Sequence, residues 1–214
     1  MRGAGDDPLP HPVLIRWAAW SGLPLDLQQA EALAANGYVV FAIDLYHGVV
    51  TTDAAKARRL KRNLPQGRAI SEMKAVFDHL STHPDVDATQ VRAVGWSLVG
   101  RLALQLAIHE PRLAGCVVNY GALPTPTAEL QSIEAPALGN FGALNRCVPA
   151  GKVRTFESDM SALGKSVDIK LYLGAGHSFE NPANKRGYRA EAAADAWLRT
   201  LAFLASDARP EQKS

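Results

Sequence analysis

The chain has 214 residues and a formal net charge of +2; 47% of its residues are hydrophobic and 21% are charged. This length is enough for one substantial core and short for two domains, and the composition is that of a folded soluble protein rather than a disordered one. The chain has two cysteines, without the paired spacing of a disulfide framework or a zinc site, so we expect no metal and no other cofactor.

The N-terminal and basic segments bear on location and partners. The first residues lack the apolar segment of a signal peptide, and no apolar stretch approaches membrane-spanning length, so we expect a cytoplasmic protein with no membrane partner. The densest basic run, residues 56–62, lies on a predicted helix without interleaved aromatic residues. A solvated helix face explains this run better than nucleic-acid binding does. We therefore expect no nucleic-acid partner, and a monomer or homodimer.

Apolar runs of strand length alternate with segments of helical spacing along the whole chain. The predicted strands are residues 12–15, 38–43, 91–94, 116–120, 137–142 and 167–172, and helices are predicted in 27–35, 53–64, 69–80, directly after residue 97, in 153–163 and in 190–204. This alternation predicts an α/β fold with a doubly wound, mostly parallel sheet flanked by helices. We predict a single domain over residues 1–214, with flexible ends at 1–10 and 206–214.

The segment Val94-Gly95-Trp96-Ser97 predicts a serine at a sharp bend between a strand and a helix. A bend of this kind exposes the serine oxygen beside the helix N-terminus, where a nucleophile of acyl transfer is found. The usual Gly-x-Ser-x-Gly pattern is broken, because Val99 takes the place of the last glycine. The alternative is an ordinary turn with an exposed serine.

A serine needs a base to take its proton, and His177 is the best candidate of the six histidines. It follows a predicted strand, lies in a glycine-flanked loop, and comes after the serine in the chain, as the histidine of α/β-hydrolases does. His47 is the second candidate. The alternative for His177 is a loop histidine without a catalytic role.

Together these motifs resemble the dienelactone hydrolase family of α/β-hydrolases. The matching stretches are residues 36–40, 44–48, 94–97, 142–149, 174–179 and 181–182. The resemblance implies an α/β-hydrolase fold and hydrolysis of lactones or esters through a nucleophile, an acid and a histidine at the bend and two later loops.

The chain departs from the family pattern at its chemical positions. Ser97 stands where the family usually has cysteine, and the expected aspartate falls on Asn145. We expect the Asn145 amide oxygen to accept a hydrogen bond from the His177 ring and orient it, although an amide cannot stabilise the imidazolium by charge. Three carboxylates are candidates to replace the acid by chain position: Glu129, Glu134 and Asp159. Because Val99 is β-branched, we expect a relaxed bend.

The remaining site residues are expected around this centre. The oxyanion donors would be the backbone N–H groups of Leu98 and of the turn at Ala19 and Trp20. The substrate-binding candidates are aromatic residues for an apolar pocket and arginines for a substrate carboxylate: Trp17, Trp96, Tyr120, Phe179, Arg101 and Arg186. The alternatives are plain core for the aromatic residues and plain surface for the arginines.

Two functional hypotheses follow. The first is a serine hydrolase of a small-molecule ester or lactone. The second is a catalytically impaired relative that retains the fold as a binding or interaction module. It is motivated by three departures from the family pattern, at the bend around Ser97, at Asn145, and at residues 17–20, which lack the usual His-Glu pair.

Overall fold

The computed structural model describes residues 12–17, 25–124 and 127–206. Its strands are β1 Pro12–Trp17, β2 Val39–Asp44, β3 Arg92–Trp96, β4 Gly115–Asn119, β5 Ala137–Gly142 and β6 Val167–Tyr172. Its helices are α1 Leu25–Ala35, α2 Ala54–Arg62, α3 Gln66–Ser81, α4 Leu98–His109, α5 Ala150–Ala162 and α6 Ala190–Ala205, with short 3₁₀ turns at Ala88–Gln90 and Thr127–Ser132. Apart from Ser206, the predicted flexible ends lie outside the described residues.

All six strands form one parallel sheet in the order β2-β1-β3-β4-β5-β6. The predicted doubly wound α/β sheet is therefore confirmed, with shifts of a few residues at element ends. Helix α5, for example, begins three residues earlier than predicted, directly after Pro149, whose φ of −60° suits a helix start.

The two faces of the sheet carry separate hydrophobic clusters. Along β3 and β4 alternate side chains go to opposite faces, so Ala93 and Cys116 belong to one cluster while Val94 and Val117 belong to the other. The first cluster includes buried residues of α3, α4 and α5, and the second includes residues of α1 and α6. Both faces are thus covered, and a site has room only at the strand ends and loops.

Two features typical of other kinds of protein are absent from the described residues. Across the described ranges, no helix combines the length and apolarity needed to cross a membrane. The same ranges contain no group of three or more histidine, cysteine, aspartate or glutamate side chains able to hold a metal ion.

Candidate active site

Ser97 lies at the bend between β3 and α4 in a conformation that few serines adopt. Its φ is 55° and its ψ is −117°. The bend is fixed from both sides, because the Ser97 N–H donates to the Asn119 carbonyl at 2.8 Å and the Ser97 carbonyl accepts from the Arg101 N–H at 3.2 Å. A non-glycine residue with positive φ costs free energy that the surrounding structure must supply, and such residues cluster at functional sites.

The close packing behind this bend depends on three glycines, and it does not require a glycine at position 99. A Cβ added at Gly95 would collide with the backbone of Val99, and one at Gly100 would lie 3.0 Å from the Gly95 carbonyl oxygen. One at Gly121 would lie 2.5 Å from the Arg101 nitrogen. Val99 itself is buried at 4% exposure in the core. The expectation of a relaxed bend is therefore wrong: the valine side chain points into the core, and Gly95, Gly100 and Gly121 allow the close approach.

Replacing Gly95 with alanine is expected to destabilise the protein by about 2–4 kcal/mol, because the new methyl group must push α4 away from β3. The matched control is Gly67→Ala, since a Cβ at this position in α3 meets nothing within 4 Å. We expect the control to be neutral or stabilising by up to ~1 kcal/mol. Urea unfolding of both variants checks this, and equal effects at the two positions would contradict the packing argument.

The structure brings His177 to the serine. The His177 Nε2 atom lies 2.9 Å from the Ser97 Oγ atom, within hydrogen-bond reach. The histidine loop is held by Asn184, whose side-chain amide donates to the carbonyls of His177 and Ser178 at 3.1 and 3.3 Å. Sequence reasoning did not identify Asn184, because nothing in its spacing marks it as a support of this loop.

The electrostatic surroundings favour a neutral imidazole. Burial lowers the pKa of His177, and the positive charge of Lys61 lowers it further. A neutral ring can accept the serine proton at neutral pH. The other ring nitrogen, Nδ1, is buried and has no hydrogen-bond partner among the described residues. The geometry thus provides a serine and a base but leaves the base without a group that orients it.

Asn145 does not supply that orienting group. It is buried at 2% exposure, and its Oδ1 atom accepts the backbone N–H groups of Cys147 and Val148 at 2.9 and 3.4 Å. Its Nδ2 atom is buried without a partner in the described part of the chain. The expected hydrogen bond from the His177 ring to the Asn145 oxygen is therefore absent, because the oxygen already closes a turn of its own loop.

The Asn145 loop nevertheless packs against the histidine loop. The Leu144 N–H donates to the Ala175 carbonyl at 2.8 Å. A Cβ added at Gly142 would lie 2.5 Å from the carbonyl oxygens of Ala175 and Gly176. The loop that the sequence predicts to carry the acid thus packs against the histidine loop, and it presents Asn145 rather than a carboxylate at the predicted position.

The three carboxylates considered as replacements for the acid do not contact the His177 ring. Glu129 accepts a hydrogen bond from Gln105 at 3.4 Å, and Glu134 pairs with Lys165 at 3.0 Å. Asp159 lies on α5. Since the His177 Nδ1 atom has no partner among the described residues, none of them replaces the acid.

A pocket of about 560 Å³ opens at the serine and the histidine. The predicted site residues Leu98, Arg101 and Tyr120 line it, and the Tyr120 ring contacts the His177 ring edge-to-face with centroids 5.3 Å apart. Leu98 begins α4, so its N–H is among those at a helix start that have no acceptor within the helix. This placement suits an oxyanion donor.

Other predicted site residues lie elsewhere. Trp96 and Phe179 are buried in the core and do not line the pocket, because large aromatic surfaces gain most from full burial. Arg186 is exposed outside the pocket lining. The predicted residues Ala19 and Trp20 lie outside the described residues. Trp17 ends β1, and its side chain likewise lies outside the description.

A buried carboxyl group that sequence reasoning missed lies beside the bend. Glu180 is only 7% exposed, and its Oε2 atom accepts the indole N–H of Trp96 at 2.9 Å. Its Oε1 atom has no partner among the described residues. Burial raises the pKa of Glu180 to about 8, against a smaller opposing effect of the Trp96 hydrogen bond. The carboxyl group is thus mostly protonated at neutral pH, and it joins the histidine loop to the residue preceding the serine.

Glu180 is expected to make folding stability pH-dependent. Its pKa is higher in the folded state than in the unfolded chain, so the stability it contributes is complete below pH 4.5 and is lost as the pH rises to about 8. The Glu180→Gln variant has no ionisable group at this position. Its free energy of unfolding should therefore fall with rising pH by a few kcal/mol less than that of the wild type, at about 1.4 kcal/mol per pKa unit. Unfolding free energies measured between about pH 5 and 9 test this. The exposed control Glu31→Gln should follow the wild-type curve; parallel curves for all three proteins would contradict the assignment.

The sequence of the chain is similar to those of known proteins. The dienelactone hydrolase family model matches residues 3–207 of the chain. A Saccharolobus solfataricus protein provisionally named a carboxymethylenebutenolidase is 31% identical over 162 residues, which cover 74% of this chain and 62% of that protein. A Yersinia pestis protein with the same provisional name is 28% identical over 207 residues, covering 90% and 77% of the two chains.

A solved structure confirms the fold. The crystal structure of a Klebsiella pneumoniae protein, provisionally named a dienelactone hydrolase, superposes with a TM-score of 0.82 at 24% identity. The superposition covers 94% of this chain and 89% of that one. The α/β-hydrolase fold implied by the sequence motifs is therefore confirmed.

Proposed function

Because the chain belongs to the dienelactone hydrolase family, we propose that it hydrolyses a small ester or lactone with Ser97 as nucleophile and His177 as base. The observation that carries the proposal is the 2.9 Å distance between the Ser97 Oγ and His177 Nε2 atoms at a positive-φ bend. The relatives' provisional name supports a lactone or ester substrate. The matched segment spans 62% of the Saccharolobus relative, so activity and substrate are proposals for this chain.

The proposed reaction has two steps. The Ser97 oxygen attacks the carbonyl carbon while His177 Nε2 takes the serine proton, and the carbonyl oxygen becomes an oxyanion held by the Leu98 N–H. The intermediate collapses as the imidazolium gives its proton to the leaving alkoxide, which leaves an acyl ester on Ser97. Water then attacks the acyl group with His177 as base, and the serine is restored as the acid product departs.

The missing acid makes this centre slower than one with a full triad. Nothing among the described residues accepts a hydrogen bond from His177 Nδ1, so neither the ring tautomer nor the imidazolium is stabilised from that side. Substrates with good leaving groups need the least help from the base. We therefore expect activated esters to be hydrolysed faster than unactivated ones.

Arg101 lines the pocket, and this position supports a role in binding an anionic group of the substrate. One guanidinium group can bind one carboxylate in a bidentate manner. The alternative hypothesis, a binding module without catalysis, is not favoured by the family match or by the paired serine and histidine.

The direct test is turnover of p-nitrophenyl butyrate and of the lactone dihydrocoumarin by the wild-type protein. We expect hydrolysis above the uncatalysed rate for at least one of them, with the Ser97→Ala variant at the background rate. Equal rates for the wild type and the variant with every substrate would refute the proposed function.

A further inference from the structure

One wall of the pocket is strongly cationic. Three side chains of α2, Arg58, Lys61 and Arg62, line it together with Arg101 of α4. The described residues that line the pocket include no carboxylate. Among the described residues these four cations also form no ion pair within 4.0 Å. Their charge therefore acts on whatever occupies the pocket.

The sequence of α2 places these charges on one side of the helix. Arg58, Lys61 and Arg62 have i, i+3 and i+4 spacing and face the pocket, whereas Ala57 is buried. Helix stability does not account for this arrangement. Cations at a helix C-terminus gain about 0.3–1 kcal/mol from the helix dipole, but like charges at i and i+4 repel each other by similar amounts. Arg58, Lys61 and Arg62 are exposed to solvent, as the sequence predicts, and the same side chains also line the pocket.

Arg101 extends the cationic wall toward the serine. Its Nη2 atom donates to the Gln66 side chain at 3.4 Å, and its buried Nε atom has no partner among the described residues. It follows Ser97 by one helical turn, and the Arg101 N–H is already bonded to the Ser97 carbonyl. Lys61 is close enough to lower the pKa of His177. The wall and the reacting groups therefore belong to one cavity.

We propose that the substrate of this site is a small ester carrying at least two negative charges, which bind between the α2 cations and Arg101. The Asp53 carboxylate interacts electrostatically with Arg58, but no described carboxylate lines the pocket. A single substrate carboxylate is satisfied by one guanidinium group, so four cations lining this pocket favour a more highly charged group. A cleft lined by charge of one sign also attracts oppositely charged substrates. The inference rests on the proposed hydrolase function. A phosphate or a pair of carboxylates supplies the same charge.

Four p-nitrophenyl esters test the inference at about pH 8, where a phosphate monoester is doubly ionised. They are the neutral butyrate, the glutarate monoester with one carboxylate, the 4-phosphooxybutyrate, and the monoester of propane-1,2,3-tricarboxylate. We expect kcat/KM for both doubly charged esters to exceed that for the glutarate by ~10-fold or more and to fall steeply with added salt. A preference between the two identifies phosphate or paired carboxylates as the natural group. A higher kcat/KM for the glutarate or the butyrate than for both doubly charged esters would overturn the proposal.

Two double variants of α2 distinguish the effect of the pocket-lining cations from the effect of the net charge of the helix. Arg58→Gln with Lys61→Gln should lower the ratio of kcat/KM for the doubly charged esters to kcat/KM for the butyrate by ~10–100-fold. Lys56→Gln with Arg59→Gln removes the same charge from α2 at positions outside the pocket lining and should leave this ratio unchanged. Equal effects of the two double variants would overturn the proposal.

Binding distinguishes failure of this inference from failure of the hydrolase function. Propane-1,2,3-tricarboxylate has no ester bond, and calorimetry measures its affinity without turnover. We expect ~10-fold weaker binding to the Arg58→Gln, Lys61→Gln protein than to the wild type. If no ester is hydrolysed but this difference holds, the hydrolase function fails and the anion site stands. Unchanged binding would overturn the anion site.

Discussion

Replacing Asn145 with aspartate is expected to raise kcat/KM for p-nitrophenyl esters by about 10²–10⁴-fold, the reverse of the loss that an acid-to-amide change causes in a serine protease. One carboxylate oxygen would keep the N–H groups of Cys147 and Val148. The other would replace the unpartnered Nδ2 atom, in a loop packed against that of His177. A carboxylate there would fix the ring tautomer and stabilise the imidazolium.

The pH profile shows whether the gain comes from His177. The new negative charge should raise the pKa of His177, so the acidic limb of kcat/KM should move to higher pH in the Asn145→Asp variant. The control is Asn181→Asp, whose side chain closes a similar turn with the Ala183 N–H at 2.9 Å. It adds the same charge near the histidine loop and should give neither effect. A variant at position 145 with unchanged rate and unchanged profile would refute the proposed role of this position.

Removing the serine hydroxyl is the second large effect. Ser97→Ala should lower kcat for activated esters by about 10²–10⁴-fold, to the background rate, because no other described hydroxyl lies within hydrogen-bond distance of His177. Steady-state kinetics with p-nitrophenyl butyrate measures this. The backbone of the bend should persist, since Gly95, Gly100 and Gly121 set its packing.

The control for this change is Ser161→Ala, an exposed serine near the end of α5. It should retain wild-type kinetics. If Ser97→Ala retains the wild-type rate as well, hydrolysis occurs by a route that does not use the serine at the bend.

The fold and the centre of the site could be predicted because their signals are local. Strand-length apolar runs and glycine-flanked turns gave the sheet and placed Ser97 and His177 in loops at the carboxyl ends of β3 and β6. In parallel sheets those ends share one edge, so the serine and the histidine meet. That the acid position of the family falls on Asn145, between Gly142 and Pro149, stays a prediction.

The features of the site that the sequence does not predict depend on contacts between residues far apart in the chain. The Trp96 and Glu180 pair joins residues 84 positions apart, and a glutamate beside a loop histidine looks like surface in the sequence. The sequence predicts a solvated basic face on α2, and Arg58, Lys61 and Arg62 are exposed. Periodicity shows which residues share a helix face, but it does not show that this face also lines a pocket. The sequence also does not show that the Val99 side chain points into the core. It therefore predicts a relaxed bend, which the structure does not have.

The most direct measurement is peptide mapping by mass spectrometry after reaction with a fluorophosphonate probe, which forms a covalent bond to an activated serine oxygen. We expect one phosphonylated residue, Ser97. Its labelling should fall at acid pH as His177 becomes protonated, and it should be faster in the Asn145→Asp variant. A protein that stays unlabelled, or is labelled at another serine while Ser97 remains free, would contradict the claim that Ser97 and His177 form the reactive centre.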